Sequence, residues 1–153
     1  MSQAYVALGS NLGDREGNLR IALRLLEERG VHVAKVSSFI QTAPYGVTDQ
    51  PDFLNGVCQV ETELEPLELL QLLLDIEKQM GRVRLRHWGE RNIDLDLLLY
   101  EDCCLETEEL TLPHKELHLR DFVLVPLAEI APEVVHPRLH KSIAQLKAEL
   151  LAK

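Results

Sequence analysis

"RNIDLDLLLY", residues 91–100, sets Asp94 and Asp96 among Ile93, Leu95, Leu97 and Leu99. Strict alternation of acid and aliphatic is the period of an extended strand, not of a helix. It predicts a two-faced strand, with the leucines packed against helices and both aspartates on the opposite face. Two carboxylates on one strand face have Cα atoms about 7 Å apart and can converge on a hard cation such as Mg²⁺. On this stretch alone, an acidic strand face turned to solvent explains the pattern as well.

The loop before it favours the first reading. "RVRLRHWGER" (82–91) holds Arg82, Arg84, Arg86 and Arg91 against the single acid Glu90, a local net charge of +3 in a chain of net charge -9. Arginine forks neutralise and orient phosphate oxygens, while paired carboxylates hold the metal ion of a polyphosphate. Trp88 adds a face for stacking.

Further outward, the chain reads as alternating elements. "AYVAL" (4–8) is a short apolar strand, and "GSNLGD" (9–14) is a turn-rich loop. The loop sits where phosphate loops sit but lacks the lysine and spacing of the P-loop, so a tight turn into a helix is the expectation. Asp14 caps that helix, whose Leu19, Ala22, Leu23 and Leu26 recur at helical spacing until Gly30. "VHVAKVSSFIQT" (31–42) is β-rich with alternation that slips near Lys35, as at a bulge. A Pro- and Gly-containing loop (43–52) leads to a further strand, "FLNGVCQVETEL" (53–64). Pro66 opens a second helix carrying Leu67, Leu70, Leu73, Leu74 and Glu77, and Gly81 ends it. With strand 91–100 the order is βαββαβ. The predicted fold class is therefore α+β: a ferredoxin-like sandwich with a mostly antiparallel sheet and helices on one face. Residues 101–153 form a C-terminal extension with a helix near 120–130 and a final amphipathic helix on which Ile143, Leu146 and Leu150 share a face.

At 153 residues, with 46% hydrophobic and 27% charged positions, one domain spanning 1–153 is expected. A net charge of -9 repels nucleic acid and anionic membrane. No stretch reaches the roughly 20 apolar residues of a membrane span. "MSQAYVALGS" has no basic n-region or long apolar core, and Cys58, Cys103 and Cys104 have neither disulfide-framework nor zinc spacing. A cytoplasmic protein fits, and a monomer is expected. His114 and His118 would form a metal pair only on a helix, which Pro113 disfavours, and no third ligand accompanies them. Tyr45, Phe53 and Asn55 gather near the 43–52 loop, with Phe53 and Asn55 on one strand face. An aromatic beside an amide suits a flat heteroaromatic ligand.

"HWGERNIDLDLL" (87–98), "GSNLGD" (9–14), "DQPDFLNGV" (49–57) and "TLPHKELHLRDFVLVPLAEIAPE" (111–133) together resemble the 6-hydroxymethyl-7,8-dihydropterin pyrophosphokinase family of folate biosynthesis. The likeness covers nearly the whole chain. It implies transfer of the β,γ-pyrophosphoryl group of ATP to the pterin hydroxymethyl oxygen, with release of AMP. It implies that Asp94 and Asp96 hold two Mg²⁺ ions and that Arg82 and Arg91 stabilise developing charge. By the same resemblance Glu77, Arg84, Trp88, His114 and Arg120 belong to the ATP side. Thr42, Ala43, Tyr45, Phe53, Asn55 and Phe122 belong to the pterin side, with the ring between the two phenylalanines. Segments 9–17, 43–52 and 82–91 are expected to close over the substrates. Ala43 stands where a proline is common, Phe53 where a tyrosine often stacks, Lys115 where an aromatic is frequent, and Leu74 where a glutamine is often found. These departures bear on affinity, not on reaction type. Two rival classes remain: a palm-like two-metal nucleotidyl transferase or cyclase, which would release pyrophosphate, and a non-enzymatic ferredoxin-like binding module.

Overall fold

The computed structural model describes residues 1–43, 52–81 and 92–152. Strand β1 (Ser2–Ser10) lies centrally, paired with β4 (Phe53–Thr62) on one side and β5 (Asp94–Tyr100) on the other. β4 also pairs with β2 (His32–Val36) and, further along, with β3 (Ile40–Thr42). All these pairings are antiparallel. The order β2-β4-β1-β5, with α1 (Arg15–Glu28) after β1 and α2 (Pro66–Gln79) after β4, is the ferredoxin-like arrangement the sequence predicts. The slip near Lys35 is real: the register shifts between Val33 and Lys35.

Local chemistry sets the helix ends. Asp14 accepts the Gly17 N–H at 3.0 Å, a cap worth about 1 kcal/mol. Pro66 occupies the first turn of α2, where its missing N–H costs nothing, and Glu68 reaches back to the Glu65 N–H at 2.9 Å. Gly30 and Gly81 follow the two helices with φ of +86° and +70°, a conformation that side-chain-bearing residues resist.

Three expectations need correction. The helices do not lie on one face only. α1 and α2 cover one side of the sheet, over Ala4, Val6, Leu8, Cys58, Val60, Leu95 and Leu97. On the other side α3 (Asp121–Ile130) and α4 (Ile143–Leu151) pack over Tyr5, Val57, Leu98 and Leu99. Second, Leu99 does not share the face of Leu95 and Leu97. Val6 pairs with Leu97 and Tyr5 with Leu99, so Leu98 is an extra residue, and the bulge turns Leu99 toward α3 and α4. Third, α2 buries Leu69, Leu72, Leu73, Ile76 and Glu77, while Leu67 and Leu74 are exposed. A helix with leucines on most of its circumference has no unique apolar face by periodicity.

The extension also holds a hairpin not foreseen, β6 (Leu105–Glu106) with β7 (Thr111–Leu112), followed by a single 3-10 turn, Leu117–Leu119. Arg138 ties the chain after α3 to this hairpin through Glu106, at 2.6 Å, and the Leu112 carbonyl, at 3.3 Å. Among the described residues no helix is long and apolar enough to cross a membrane.

Candidate active site

The floor of the site is built by cross-strand register. Gly9 on β1 pairs with Asn55 on one side and Asp94 on the other, and Ala7 pairs with Val57 and Asp96. Direct antiparallel partners point to the same face, so Asn55, Asp94 and Asp96 all rise on the side opposite α1 and α2. The central strand contributes almost no side chain between them. A Cβ on Gly9 would lie 2.9 Å from Asn55 Oδ1 and 3.6 Å from Phe53 Cδ1. Only a glycine lets those two groups settle over the strand.

Over this floor, and reaching round to α2, lies a cavity of about 360 Å³, within the size range of small-molecule sites. Thr42, Ala43, Phe53, Asn55 and Phe122 line one part of it, and Glu77, Asp94, Asp96, His114 and Arg120 another. These ten assigned residues come from β3, β4, α2, β5, the segment after β7 and the start of α3. The structure therefore brings together residues up to 80 positions apart in the chain. Arg82, Arg84, Trp88, Arg91 and Tyr45 lie outside the described residues. So do 44–51 and 82–91 among the segments expected to close.

Each wall has its own support. Asn55, nearly buried, donates through Nδ2 to Thr42 Oγ1 at 2.6 Å, which ties β4 to β3 and orients the amide. Arg120 is held against Glu116 at 2.9 Å and stacks 5.6 Å over the Phe122 ring. His114 Nδ1 accepts the Glu116 N–H at 3.2 Å, which places the ring proton on Nε2 as a donor. Burial, chiefly, and then the Arg120 charge hold the His114 pKa below the ordinary imidazole value, so the ring is neutral at neutral pH. His118 parts company with it and meets His136 edge-on, 6.2 Å away. The loop 9–14 is a structural turn: Ser10 and Asn11 are buried, and Asn18 donates to the Leu12 carbonyl at 2.9 Å and to Ser10 at 3.2 Å.

No group of three or more metal-ligating side chains occurs among the described residues. Two carboxylates on one strand face suit Mg²⁺ that arrives with phosphate oxygens and water, and would not make an all-protein cage. The donor set therefore fits a metal carried by a nucleotide.

The 7,8-dihydro-6-hydroxymethylpterin-pyrophosphokinase (HPPK) family profile matches residues 5–132, spanning the sheet, α1, α2 and α3. The chain belongs to the HPPK family. A Haemophilus influenzae relative named 2-amino-4-hydroxy-6-hydroxymethyldihydropteridine pyrophosphokinase is 49% identical over 138 residues, covering 90% of this chain and 86% of the relative. The Schizosaccharomyces pombe folic acid synthesis protein fol1 is 45% identical over 143 residues, and there the chain covers 93% of itself but 20% of the longer protein. A crystal structure of wild-type Plasmodium falciparum HPPK-DHPS with SDX-DHP superposes with a TM-score of 0.75 at 16% identity. This likeness of fold covers 99% of the present chain and 44% of that one.

Sequence reading missed parts of this cavity. Ala7 escaped notice and Gly9 was read only as the start of a turn, because an absent side chain leaves no chemical signal in a strand. Leu70, which looks like a core residue of α2, also lines the cavity, beside Leu74, already noted where a glutamine is often found. The signal available was their excess over what one helix face can bury.

Proposed function

We propose that this chain, acting as one domain over residues 1–153, transfers the pyrophosphoryl group of ATP to the hydroxymethyl oxygen of 6-hydroxymethyl-7,8-dihydropterin. The products are the pterin diphosphate ester and AMP, a step of folate biosynthesis. The observation that carries the residue assignment is the floor: Asn55 and Asp94 flank Gly9 on neighbouring strands. Two strand spacings separate their Cα atoms by about 10 Å, the reach of a two-ring heterocycle with a one-carbon arm. The ring lies between Phe53 and Phe122, and Asn55, braced by Thr42, reads its polar edge. The arm then points toward Asp94. The backbone of Thr42 and Ala43 and, outside the described residues, Tyr45 complete this wall.

The nucleotide takes the other half of the cavity. His114 donates through Nε2 to an anionic oxygen, and Arg120 supplies positive charge along the phosphates. Glu77 borders the nucleotide. Arg84 and Trp88 contact ATP, and Arg82 and Arg91 steady charge on the transferring group. Asp94 and Asp96 would hold two Mg²⁺ ions, which neutralise phosphate charge when bound. Asp94 also accepts a hydrogen bond from the substrate hydroxyl, orienting its oxygen for attack. Phe53, Phe122 and Leu74 keep water from the reacting centre, where hydrolysis is the competing reaction.

The test is a product analysis. Incubation with ATP, Mg²⁺ and the reduced hydroxymethylpterin should yield AMP only when pterin is present. Release of pyrophosphate, or no turnover, would overturn the reading. The palm-like and non-enzymatic alternatives gain no separate observation in their favour.

A further inference from the structure

Glu77 does more than border a nucleotide. It sits in the last turns of α2 with 4% of its surface exposed, and its Oε2 accepts the Leu95 backbone N–H at 2.7 Å. Leu95 is the residue between Asp94 and Asp96. Among the described residues β5 is the outer strand of the sheet, paired with β1, and beyond that pairing its Leu98 carbonyl accepts the His114 N–H at 2.9 Å. The Leu95 residue is itself 4% exposed, so its outward amide is a buried donor that no other described strand serves. A carboxylate brought in from a different helix meets that need. Glutamates are rarely so buried unless a specific partner holds them there.

We propose that Glu77 is a positioning residue for the carboxylate pair. By holding the Leu95 N–H it fixes the pleat of β5 at the peptide that joins Asp94 to Leu95. The Asp94 and Asp96 side chains then stay on one face at one separation, over Ala7 and Gly9. The proposal rests on the metal–nucleotide reading of that pair. It assigns to Glu77 the task of an acceptor, so its charge is secondary: a glutamine oxygen at the same place would serve.

Three variants separate these roles. E77A removes the acceptor, E77M fills the same volume with at most a weak one, and E77Q keeps an oxygen without the charge. Amide hydrogen exchange of Leu95 in the ligand-free protein reads the hydrogen bond directly. Titration with Mn²⁺ in the presence of α,β-methylene-ATP, which cannot release AMP, reads the metal site without turnover. In E77A and E77M the Leu95 amide should exchange much faster while amides at the centre of β1 stay protected. Mn²⁺ affinity should fall by about 10–100-fold, the usual cost of losing a group that orients metal ligands. E77Q should keep slow exchange and recover at least about tenfold of the lost affinity. Unchanged Mn²⁺ affinity in E77M, or E77Q as impaired as E77M, would overturn the proposal. If E77A does not fold, E77M and E77Q decide alone. Failure of the pyrophosphokinase reading would show separately, as absence of pterin-dependent AMP from the wild-type protein.

Discussion

The two faces of the sheet are built from the same strands and serve opposite ends. On the face under α1 and α2, Leu8, Leu19, Leu26, Leu69, Leu73, Ile76 and Ile93 are fully buried, and Cys58 among them has its thiol pushed up to about 12 by burial alone. On the other face α3 and α4 cover Tyr5, Val57, Leu98 and Leu99 but stop short of the Gly9 end. There the strands present small residues and carboxylates to a cavity. Closure of one face supplies stability, and incomplete closure of the other leaves room for chemistry. Alanine substitutions on the two faces should therefore fail in different assays.

The sharpest break is at the pair itself. Asp94→Ala or Asp96→Ala should lower AMP formation by roughly 10²–10³-fold or more while the melting temperature stays close to wild type. Near-normal rates in both variants would mean that the acids are a solvated strand face. The opposite signature is expected for Leu73→Ala, fully buried under the sheet. It should lose about 2–5 kcal/mol in denaturant unfolding, with turnover per folded molecule retained. A large loss of turnover without destabilisation would erase the contrast between the faces.

A subtler probe is Gly9→Ala, whose new methyl group would meet Asn55 Oδ1 at 2.9 Å. The amide must shift, so KM for the pterin should rise about tenfold with little change in KM for ATP. Equal effects on both substrates would place the pterin elsewhere. The smallest effect concerns pH. Burial, and then the neighbouring His118 and Arg138 charges, lower the His136 pKa from 6.5, and its Nδ1 accepts backbone N–H groups from Arg138 (3.2 Å) and Leu139 (3.0 Å). A histidine kept neutral by the fold binds protons more readily when unfolded. Its contribution is present above pH 6.5 and lost as pH falls through the lowered folded value. His114 acts in the same sense. The melting temperature should thus decline below pH 6.5, and His136→Asn, which keeps an acceptor oxygen, should flatten part of that decline. An unchanged slope would assign it to other groups.

Where the sequence was legible, the reason is periodicity. The two-residue repeat of 93–97 placed Asp94 and Asp96 on one face, and the Asp14 cap and the first-turn Pro66 mark where α1 and α2 begin. The same reasoning went wrong at Leu99, because residues 97–99 are all leucine and the slip at this bulge leaves no mark in the residue pattern. It went wrong on α2 because six leucines between positions 67 and 74 exceed one helical face. The cavity residues after position 110 were reached by resemblance alone, since no local pattern joins His114 or Phe122 to a strand that ends at Tyr100.

By itself the sequence determined the order of elements, the two-faced character of β5 and the basic approach to it, since these depend on neighbours two to four residues apart. Tertiary structure alone decided that Gly9 and Ala7 would lie between Asn55 and the aspartates. It decided as well that α3 would lay Phe122 against the same cavity and that Glu77 would reach the Leu95 amide. Those relations depend on strand register and helix docking across the molecule. Both are set by the packing of many side chains together, and no short stretch of the chain encodes them.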